Sequence, residues 1–345
     1  MAYTTINKSS DFFNTNLYTG NATQRTIDVG FEPNLVWGKL RSTTGNHWLW
    51  DSIRGANYYI KSNATDANNT GGVQDLNGFV SNGFTVGTGT RMNTNSETMA
   101  SWSWKASGTN ISNSSGSNGA TLASAGIKND TAGISIVTYT GDGNARTVFH
   151  GLSSCDMVIH KCLNSTENWG VQHKDIGAAY QLQLDTPNAE ADKSGNGSMA
   201  LPAANVFSVN NSGQWGSNSN NYVAYAFRSV KGYSKFGSYT GNGNADGPFI
   251  YTGFKPAFIM YKNTARAISW LIHDNKRLGY NPDNDEQHPD TAVADGTDDR
   301  ADILSNGFKI KESSNLMNVS GEQVIYMAFA ENPFVTSGGV PATAR

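Results

Sequence analysis

The densest group of potential metal ligands is an acidic stretch between Asp283 and Asp302. It holds eight of the 28 Asp and Glu residues of the chain, together with one Arg. Calcium prefers clustered carboxylate oxygens in a loop, and Asp283, Asp285 and Asp290 are the candidate ligands. The glycine and the terminal Glu of an EF-hand loop do not follow them. A solvated surface loop is the simpler interpretation, and we predict neither a bound metal nor a cofactor.

Histidines and potential nucleophiles lack the spacing of catalytic motifs. The six histidines form neither His-x-x-x-His nor His-Glu-x-x-His. No Gly-x-Ser-x-Gly occurs, and nothing marks a pair of carboxylates for acid–base chemistry. The Gly-x-Gly pairs at residues 141–143 and 241–243 lack a following Lys-Ser/Thr, so they indicate turns rather than a phosphate-binding loop. We predict that the protein is not an enzyme.

Aromatic side chains are the remaining candidates for contact with a ligand. Trp48, Trp169 and Trp270 recur at similar places along the chain, which is what core packing produces. Trp215 and Tyr280 instead lie in loops rich in Gly, Asn, Ser, Pro and Asp. A loop aromatic can stack on a sugar ring or anchor an interface. Trp215 and Tyr280 are therefore the candidate ligand-binding residues.

The overall composition restricts the class of protein. Only 15% of the 345 residues are charged, 37 are Gly, and the net charge is −3, whereas an average domain is about a quarter charged. Lys and Arg give no basic excess for general binding to nucleic acid. No run of 18 apolar residues is present, so we expect no membrane insertion. The two cysteines, Cys155 and Cys162, make no disulfide framework and are expected to be core thiols.

A threefold internal repeat organises the chain. Tyr-Thr-Gly occurs at residues 18–20, 139–141 and 239–241, and a Gly-Phe-x-Pro or related motif follows each copy about ten residues later. A period near 100 residues is too long for a solenoid and indicates tandem domains. The predicted units are repeat 1 (1–107), a linker rich in Ser, Gly and Asn (108–132), repeat 2 (133–230) and repeat 3 (231–345).

Each repeat has the pattern of β-structure. Short runs rich in β-branched and aromatic residues alternate with turn signals, and residues 222–228 alternate with period two. The Gly and Asn residues after Tyr-Thr suit hairpin turns because they tolerate positive φ. We predict an all-β fold of three tandem β-sandwich or jelly-roll-like domains of about 100 residues. The linker is expected to be flexible or to lie along the surface, and we expect repeat 1 to be mobile while repeats 2 and 3 pack together.

Repeat 3 carries the most specific resemblance to known proteins. Residues 232–260, with Tyr239-Thr-Gly-Asn-Gly-Asn-Ala, Leu304-Ser-Asn-Gly-Phe-Lys-Ile and Tyr326-Met-Ala-Phe-Ala-Glu-Asn-Pro-Phe, resemble segments of tailed-bacteriophage virion proteins. Those proteins come mostly from marine phages and are often described as tail fibre or structural proteins. Gly30-Phe-Glu-Pro in repeat 1 resembles the corresponding motif there. No catalytic residues come with the resemblance.

The resemblance implies a structural protein of the phage tail, located in the virion. We expect a fibre or receptor-binding component whose partners are other virion proteins and a host surface glycan or receptor. A homo-oligomer such as a trimer is expected, although three domains in one chain also allow a pseudo-trimer. Long fibres usually carry a separate anchor domain, whereas this chain starts at its first repeat. The alternatives are therefore a head or tail decoration protein and, third, a carbohydrate-active enzyme.

Overall fold

The structure, a computed structural model, describes residues 3–70, 74–197, 199–201, 205–277, 281, 285–313 and 316–341. It consists almost entirely of antiparallel β-strands, which confirms the all-β prediction. The helical segments with fully described bounds are single turns: α1 (Thr90–Asn93) and 3-10 turns at Ser9–Asp11 and Ser194–Asn196.

Repeat 1 contains the first nine strands. Their bounds are β1 (Phe13–Thr19), β2 (Arg25–Asp28), β3 (Leu35–Leu40), β4 (His47–Asp51), β5 (Tyr58–Lys61), β6 (Asn69–Thr70), β7 (Leu76–Val80), β8 (Gly83–Val86) and β9 (Thr98–Trp104). They form a large sheet in the order β1-β9-β3-β4-β5-β6 and a small sheet in the order β2-β8-β7. Ile27 and Phe84 of the small sheet share a buried cluster with Val36 and Trp50 of the large sheet.

Repeat 2 has the same two sheets with additions. Its strands are β10 (Thr109–Asn113), β11 (Ser124–Asn129), β12 (Ile134–Thr140), β13 (Arg146–Phe149), β14 (Met157–Cys162), β15 (Gly170–His173), β16 (Tyr180–Gln181), β17 (Ala191–Asp192), β18 (Val206–Val209) and β19 (Asn221–Phe227). The large sheet runs β10-β11-β12-β19-β14-β15, the small sheet pairs β13 with β18, and β16 pairs with β17. Val148 and Phe207 of the small sheet pack with Val137 and Tyr222 of the large one.

Repeat 3 completes the series. Its strands are β20 (Ser234–Thr240), β21 (Phe249–Tyr251), β22 (Phe254–Asn263), β23 (Leu271–Asp274), β24 (Glu286–Gln287), β25 (Ala301–Leu304), β26 (Gly307–Ile310) and β27 (Gln323–Pro333). The large sheet runs β20-β27-β22-β23-β24 and the small sheet runs β21-β26-β25. Ile250 and Phe308 of the small sheet pack with Ile259 and Tyr326 of the large one.

The segment predicted as a flexible or surface-lying linker is instead an ordered hairpin that belongs to the large sheet of repeat 2. Strands β10 and β11 pair with each other, and β11 pairs with β12 from Ser124–Tyr139 to Asn129–Ile134. Ile111 is buried in the repeat 2 core. Polar side chains hold the turn, where the Asn118 amide donates a 2.7 Å hydrogen bond to Asn113 Oδ1. The Ser/Gly/Asn composition therefore reflects a turn-rich hairpin rather than a linker.

The three large sheets share one buried cluster, the axial core, formed by the faces that point away from the small sheets. Trp37, Ile159 and Met260 occupy equivalent central positions in β3, β14 and β22, and all three lie in this cluster. Phe329 contacts aromatic rings of both other repeats, with centroids 5.2 Å from Phe13 and 6.1 Å from Phe227. The prediction that repeat 1 is mobile is wrong, because its large sheet forms one side of this core.

The register of β4 differs from the sequence alignment of tryptophans. Trp48 pairs with Gly38. The equivalent pairs are His160 with Gly170 and Tyr261 with Leu271, so Trp169 and Trp270 lie one residue before the position that corresponds to Trp48. The true counterpart of Trp169 and Trp270 is His47. A shift of one residue moves a side chain to the other face of a sheet. Trp48 therefore packs in the repeat 1 sandwich, while Trp169 and Trp270 lie in the axial core.

Equivalent hydrogen bonds connect each repeat to the one before it. The Trp169 indole donates a 2.8 Å hydrogen bond to the carbonyl of Lys61, so repeat 2 is joined to repeat 1. The Trp270 indole donates a 2.8 Å hydrogen bond to the carbonyl of Gln183, so repeat 3 is joined to repeat 2. Between repeats 3 and 1 a different hydrogen bond takes this place, because the Ser62 hydroxyl of repeat 1 donates at 2.7 Å to the carbonyl of Pro289 in repeat 3. The three repeats therefore form a closed ring.

Three buried lysines accompany these contacts. Lys39, Lys161 and Lys262 occupy equivalent positions next to the central strand residues, and their ammonium groups bond to backbone carbonyls. Lys161 reaches the carbonyl of Thr65 in repeat 1 at 3.0 Å, and Lys262 reaches that of Pro187 in repeat 2 at 3.1 Å. Burial lowers the pKa of Lys39 and of Lys262 to about 8, because an ammonium ion is poorly solvated there.

Candidate ligand-binding surface

Trp215 does not contact the solvent, so the prediction that it binds a ligand is wrong. Its ring is fully buried, with its centroid 3.5 Å from that of His160. The indole nitrogen donates a 2.6 Å hydrogen bond to Gln181 Oε1. The Tyr139 hydroxyl donates a 2.8 Å hydrogen bond to the backbone carbonyl of Trp215. Trp215 belongs to the buried core of the repeat 2 sandwich.

Of the other candidate residues, the structure describes two, Asp285 and Asp290. Tyr280 and Asp283 lie outside the described residues. Asp285 pairs with Arg41 of repeat 1 at 3.4 Å. Asp290 accepts a 3.2 Å hydrogen bond from the backbone N–H of Trp270. Asp285 and Asp290 therefore have protein partners in place of the metal considered for them.

The acidic stretch docks onto repeat 1. Asp295 accepts hydrogen bonds from Arg41 Nε at 2.6 Å and from Arg277 at 3.2 Å. The backbone N–H of Asp295 also donates a 2.9 Å hydrogen bond to the Arg41 carbonyl, which reinforces the contact. Burial favours the neutral acid, but hydrogen bonds from His288 and Arg300 lower the pKa of Glu286 to about 2. Arg41, Arg277 and Arg300 therefore balance part of the negative charge of this stretch, and the bonds to Arg41 help to close the ring.

The described ranges contain no group of three or more His, Cys, Asp or Glu side chains arranged to hold a metal. The same part of the chain has no helix with the length and apolarity needed to span a membrane. Cys155 and Cys162 are both free and buried. Burial raises the pKa of the Cys155 thiol, which disfavours the nucleophilic thiolate.

A wide recess lies where the β10–β11 hairpin extends the sheet of repeat 2, and we call it the trough. It has a volume of about 660 Å³, within the range of small-molecule sites. Ser112, Ala125 and Thr138 are cross-strand neighbours and form part of its floor. Their small side chains leave space above the sheet. Among the described residues, the large sheets of repeats 1 and 3 end at β1 and β20, the counterparts of β12, and have no such extension.

The trough is lined by uncharged side chains. Hydroxyl and amide groups alternate with small apolar groups and with Leu163, and none of its lining residues is Asp, Glu, Lys, Arg or His. Thr140 Oγ1 donates a 2.8 Å hydrogen bond to Asn221 Oδ1, which aligns the Asn221 amide. The Asn221 Nδ2 group and the Ser112 hydroxyl have no partner in the described part of the chain. They are available to a ligand that carries neutral hydrogen-bonding groups.

Comparison with known proteins gives a family but no activity. A family profile described as a domain of unknown function (DUF7483) matches residues 8–333. The chain belongs to the DUF7483 family. The match covers all three repeats, so DUF7483 corresponds to the closed ring rather than to a single sandwich. No curated protein and no solved structure matches the chain.

Sequence reasoning did not find the trough of this DUF7483 chain. Ser112, Ala125 and Thr138 are common strand residues, and the hairpin that supplies two of them was predicted as a linker. The one available signal was the weak alternation at residues 109–113, with Ile111 between polar neighbours. In this chain the exposed polar face of that hairpin forms part of the recess.

Proposed function

We propose that this chain is a structural protein of a bacteriophage tail that contacts a host surface glycan through the trough of repeat 2. The resemblance of repeat 3 to phage virion proteins suggests the setting. The trough carries the binding role, because a neutral sugar presents hydroxyl groups that pair with Ser112 and Asn221. The C–H faces of the sugar pack on the small apolar groups of the trough and on Leu163.

The closed ring supports a role outside the cell. All three sandwiches bury their large sheets in one axial core, and the contact between repeats 1 and 3 joins distant parts of the chain. Such nonlocal contacts form slowly, and they give a high barrier to unfolding when they must all break together. A virion protein benefits from this kinetic stability.

A second candidate is a decoration or structural role in which the chain binds other virion proteins. Phe249 and Tyr251 favour it, because both side chains are about half exposed on one short edge strand. Exposed aromatic residues at a sheet edge are typical of interaction surfaces. A homo-oligomer stays a prediction in either case.

Labelling of intact particles tests the location. Gold-conjugated antibodies against the purified chain should decorate the tail in negative-stain electron micrographs. Labelling confined to the head would favour the decoration role, and absence of label from purified particles would overturn a virion function. Loss of glycan binding without a change of location would remove the receptor-binding part alone.

A further inference from the structure

In the described part of the chain, the outer edge of strand β21 in repeat 3 has no partner strand, whereas the counterpart edge in repeat 2 is covered. Val148 of β13 pairs with Phe207, and Ile250 of β21 pairs with Phe308 in the same way. Thr147 is therefore the counterpart of Phe249. Residues 147 and 249 therefore occupy the same position on the edge strands β13 and β21.

In repeat 2 an extended segment covers the edge of β13. Leu122 forms a parallel bridge with Val148. The backbone N–H groups of Thr121 and Leu122 both donate to the Thr147 carbonyl at 3.0 Å. The Thr147 N–H donates to Thr121 Oγ1 at 2.9 Å. Both outward backbone groups of Thr147 are thereby satisfied by a neighbouring strand-like segment.

In repeat 3 no such segment is present among the described residues. Ile310 donates to the Pro248 carbonyl, and Thr252 donates to the carbonyl of Asn306, both at 3.0 Å. Antiparallel alternation then directs the backbone groups of Phe249 and Tyr251 away from β26. The Lys235 ammonium group donates a 2.5 Å hydrogen bond to the Tyr251 carbonyl. The N–H and C=O of Phe249 have no partner in the described part of the chain.

The side chains at this edge differ from those of the other repeats. Phe249 is 46% exposed and Tyr251 is 49% exposed. Repeat 1 has Thr26 and Asp28 at the equivalent positions, and a charged residue on an edge strand discourages pairing. Repeat 3 has an aromatic pair in place of such protection.

The surroundings of β21 are positively charged. Lys235 Nζ lies 5.7 Å from the ring centroid of Tyr251, and Lys231 Nζ lies 4.6 Å from that of Tyr3. The Tyr3 hydroxyl in turn lies 3.3 Å from the Tyr251 hydroxyl. Neither lysine forms an ion pair with a carboxylate in the described part of the chain. An acidic partner would supply the missing counter-charge.

We propose that β21 is a docking edge for an extended, acidic segment of a partner polypeptide. The segment adds to the small sheet of repeat 3 in parallel with β21, as residues 121 and 122 add to β13. Its backbone bonds to the N–H and C=O of Phe249, its apolar side chains pack on Phe249 and Tyr251, and its carboxylates face Lys231 and Lys235. This inference does not depend on glycan binding, because the trough lies in repeat 2.

A displayed library of randomised seven-residue peptides, selected on the immobilised full chain, tests the proposal. Peptides rich in β-branched and acidic residues should be enriched, and their binding should slow amide exchange at residues 249–251. Phe249→Pro removes the outward N–H without breaking a bond to β26, so affinity should fall at least about tenfold. Thr26→Pro, at the equivalent position of repeat 1, is the matched control and should bind normally.

A second variant separates docking from folding. Phe249→Thr keeps the backbone donor and introduces the residue found in repeats 1 and 2, so it should fold and bind with intermediate affinity. Binding that survives Phe249→Pro, protection at another surface, or failure to enrich any peptide would overturn the proposal. Self-association of the chain that Phe249→Pro abolishes would assign the edge to a second copy, which also overturns it.

Discussion

The Trp102 indole of repeat 1 donates a 3.0 Å hydrogen bond to the buried carboxylate of Asp274 in repeat 3. Asp274 is also bonded to Arg277 at 2.7 Å, and neither of these two charged side chains is exposed. In the equivalent contact, the Tyr225 hydroxyl of repeat 2 donates to Asp51 of repeat 1 at 2.7 Å. Buried acids therefore join neighbouring repeats at two of the three contacts.

Removal of Asp274 should destabilise the whole ring. Asp274→Ala leaves the Arg277 guanidinium buried without its closest counter-charge, which costs about 3–5 kcal/mol of unfolding free energy. Asp142→Ala breaks the solvent-accessible pair of Asp142 with Arg146 and should cost less than about 1 kcal/mol. Urea denaturation followed by tryptophan fluorescence measures both. Equal losses for the two variants would contradict the structural importance of the buried pair.

The buried lysines should make the protein more stable as the pH rises from about 8 to 10. The pKa values of Lys39 and Lys262 are about 8 in the folded chain and near 10.4 when unfolded. Between these values the unfolded state binds more protons, so the free energy of unfolding increases with pH, by up to about 1.4 kcal/mol per pH unit for each lysine. Above pH 10 the buried tyrosines, whose pKa values burial raises, reverse the trend.

Lys262→Met isolates this contribution. The variant should lose part of the rise in urea midpoint between pH 8 and pH 9.5, whereas Lys8→Met should retain it, because the Lys8 side chain is 72% exposed. The same pH dependence in Lys262→Met as in the wild type would show that Lys262 does not carry the effect.

The buried histidines should destabilise the protein in mild acid. Burial lowers the pKa of His173 and of His273 to about 4, while an unfolded histidine titrates near 6.5. As the pH falls from 6.5 to 4, the unfolded state takes up protons that the folded state does not, and stability decreases. His273→Gln introduces the residue found at position 172 of repeat 2. Thermal melts at pH 7 and pH 5 should differ less for this variant than for the wild type.

The turn after each Tyr-Thr-Gly motif contains a strained residue in repeat 1 only. Gly143 and Gly243 have positive φ values of 78° and 69°, and their counterpart Ala22 has a φ of 53°. An L-residue costs about 1–2 kcal/mol in this region. Ala22→Gly should therefore raise the free energy of unfolding by about 1 kcal/mol in urea titrations. A loss of stability in this variant would contradict the assigned turn equivalence.

The sequence predicted the β-class well because alternation and turn residues are local signals. The Tyr-Thr-Gly tags mark equivalent strand ends in all three repeats, although Gly141 and Gly241 are needed for close approach to backbone atoms rather than for positive φ. The failures involve tertiary contacts. The burial of Trp215 depends on His160, more than 50 residues away, and the neutralisation of Asp295 depends on Arg41 of another repeat.

Glycan binding in the trough tests the proposed function most directly. The full chain and two variants are titrated against immobilised neutral oligosaccharides from bacterial cell surfaces. The variant Ala125→Trp fills the trough. The control variant Ala145→Trp adds the same indole to an exposed loop of repeat 2. We expect the wild type and Ala145→Trp to bind a common glycan, and Ala125→Trp to lose at least about tenfold in affinity. Equal binding by all three proteins, or binding by none, would contradict the assignment of the trough as the host-contact site.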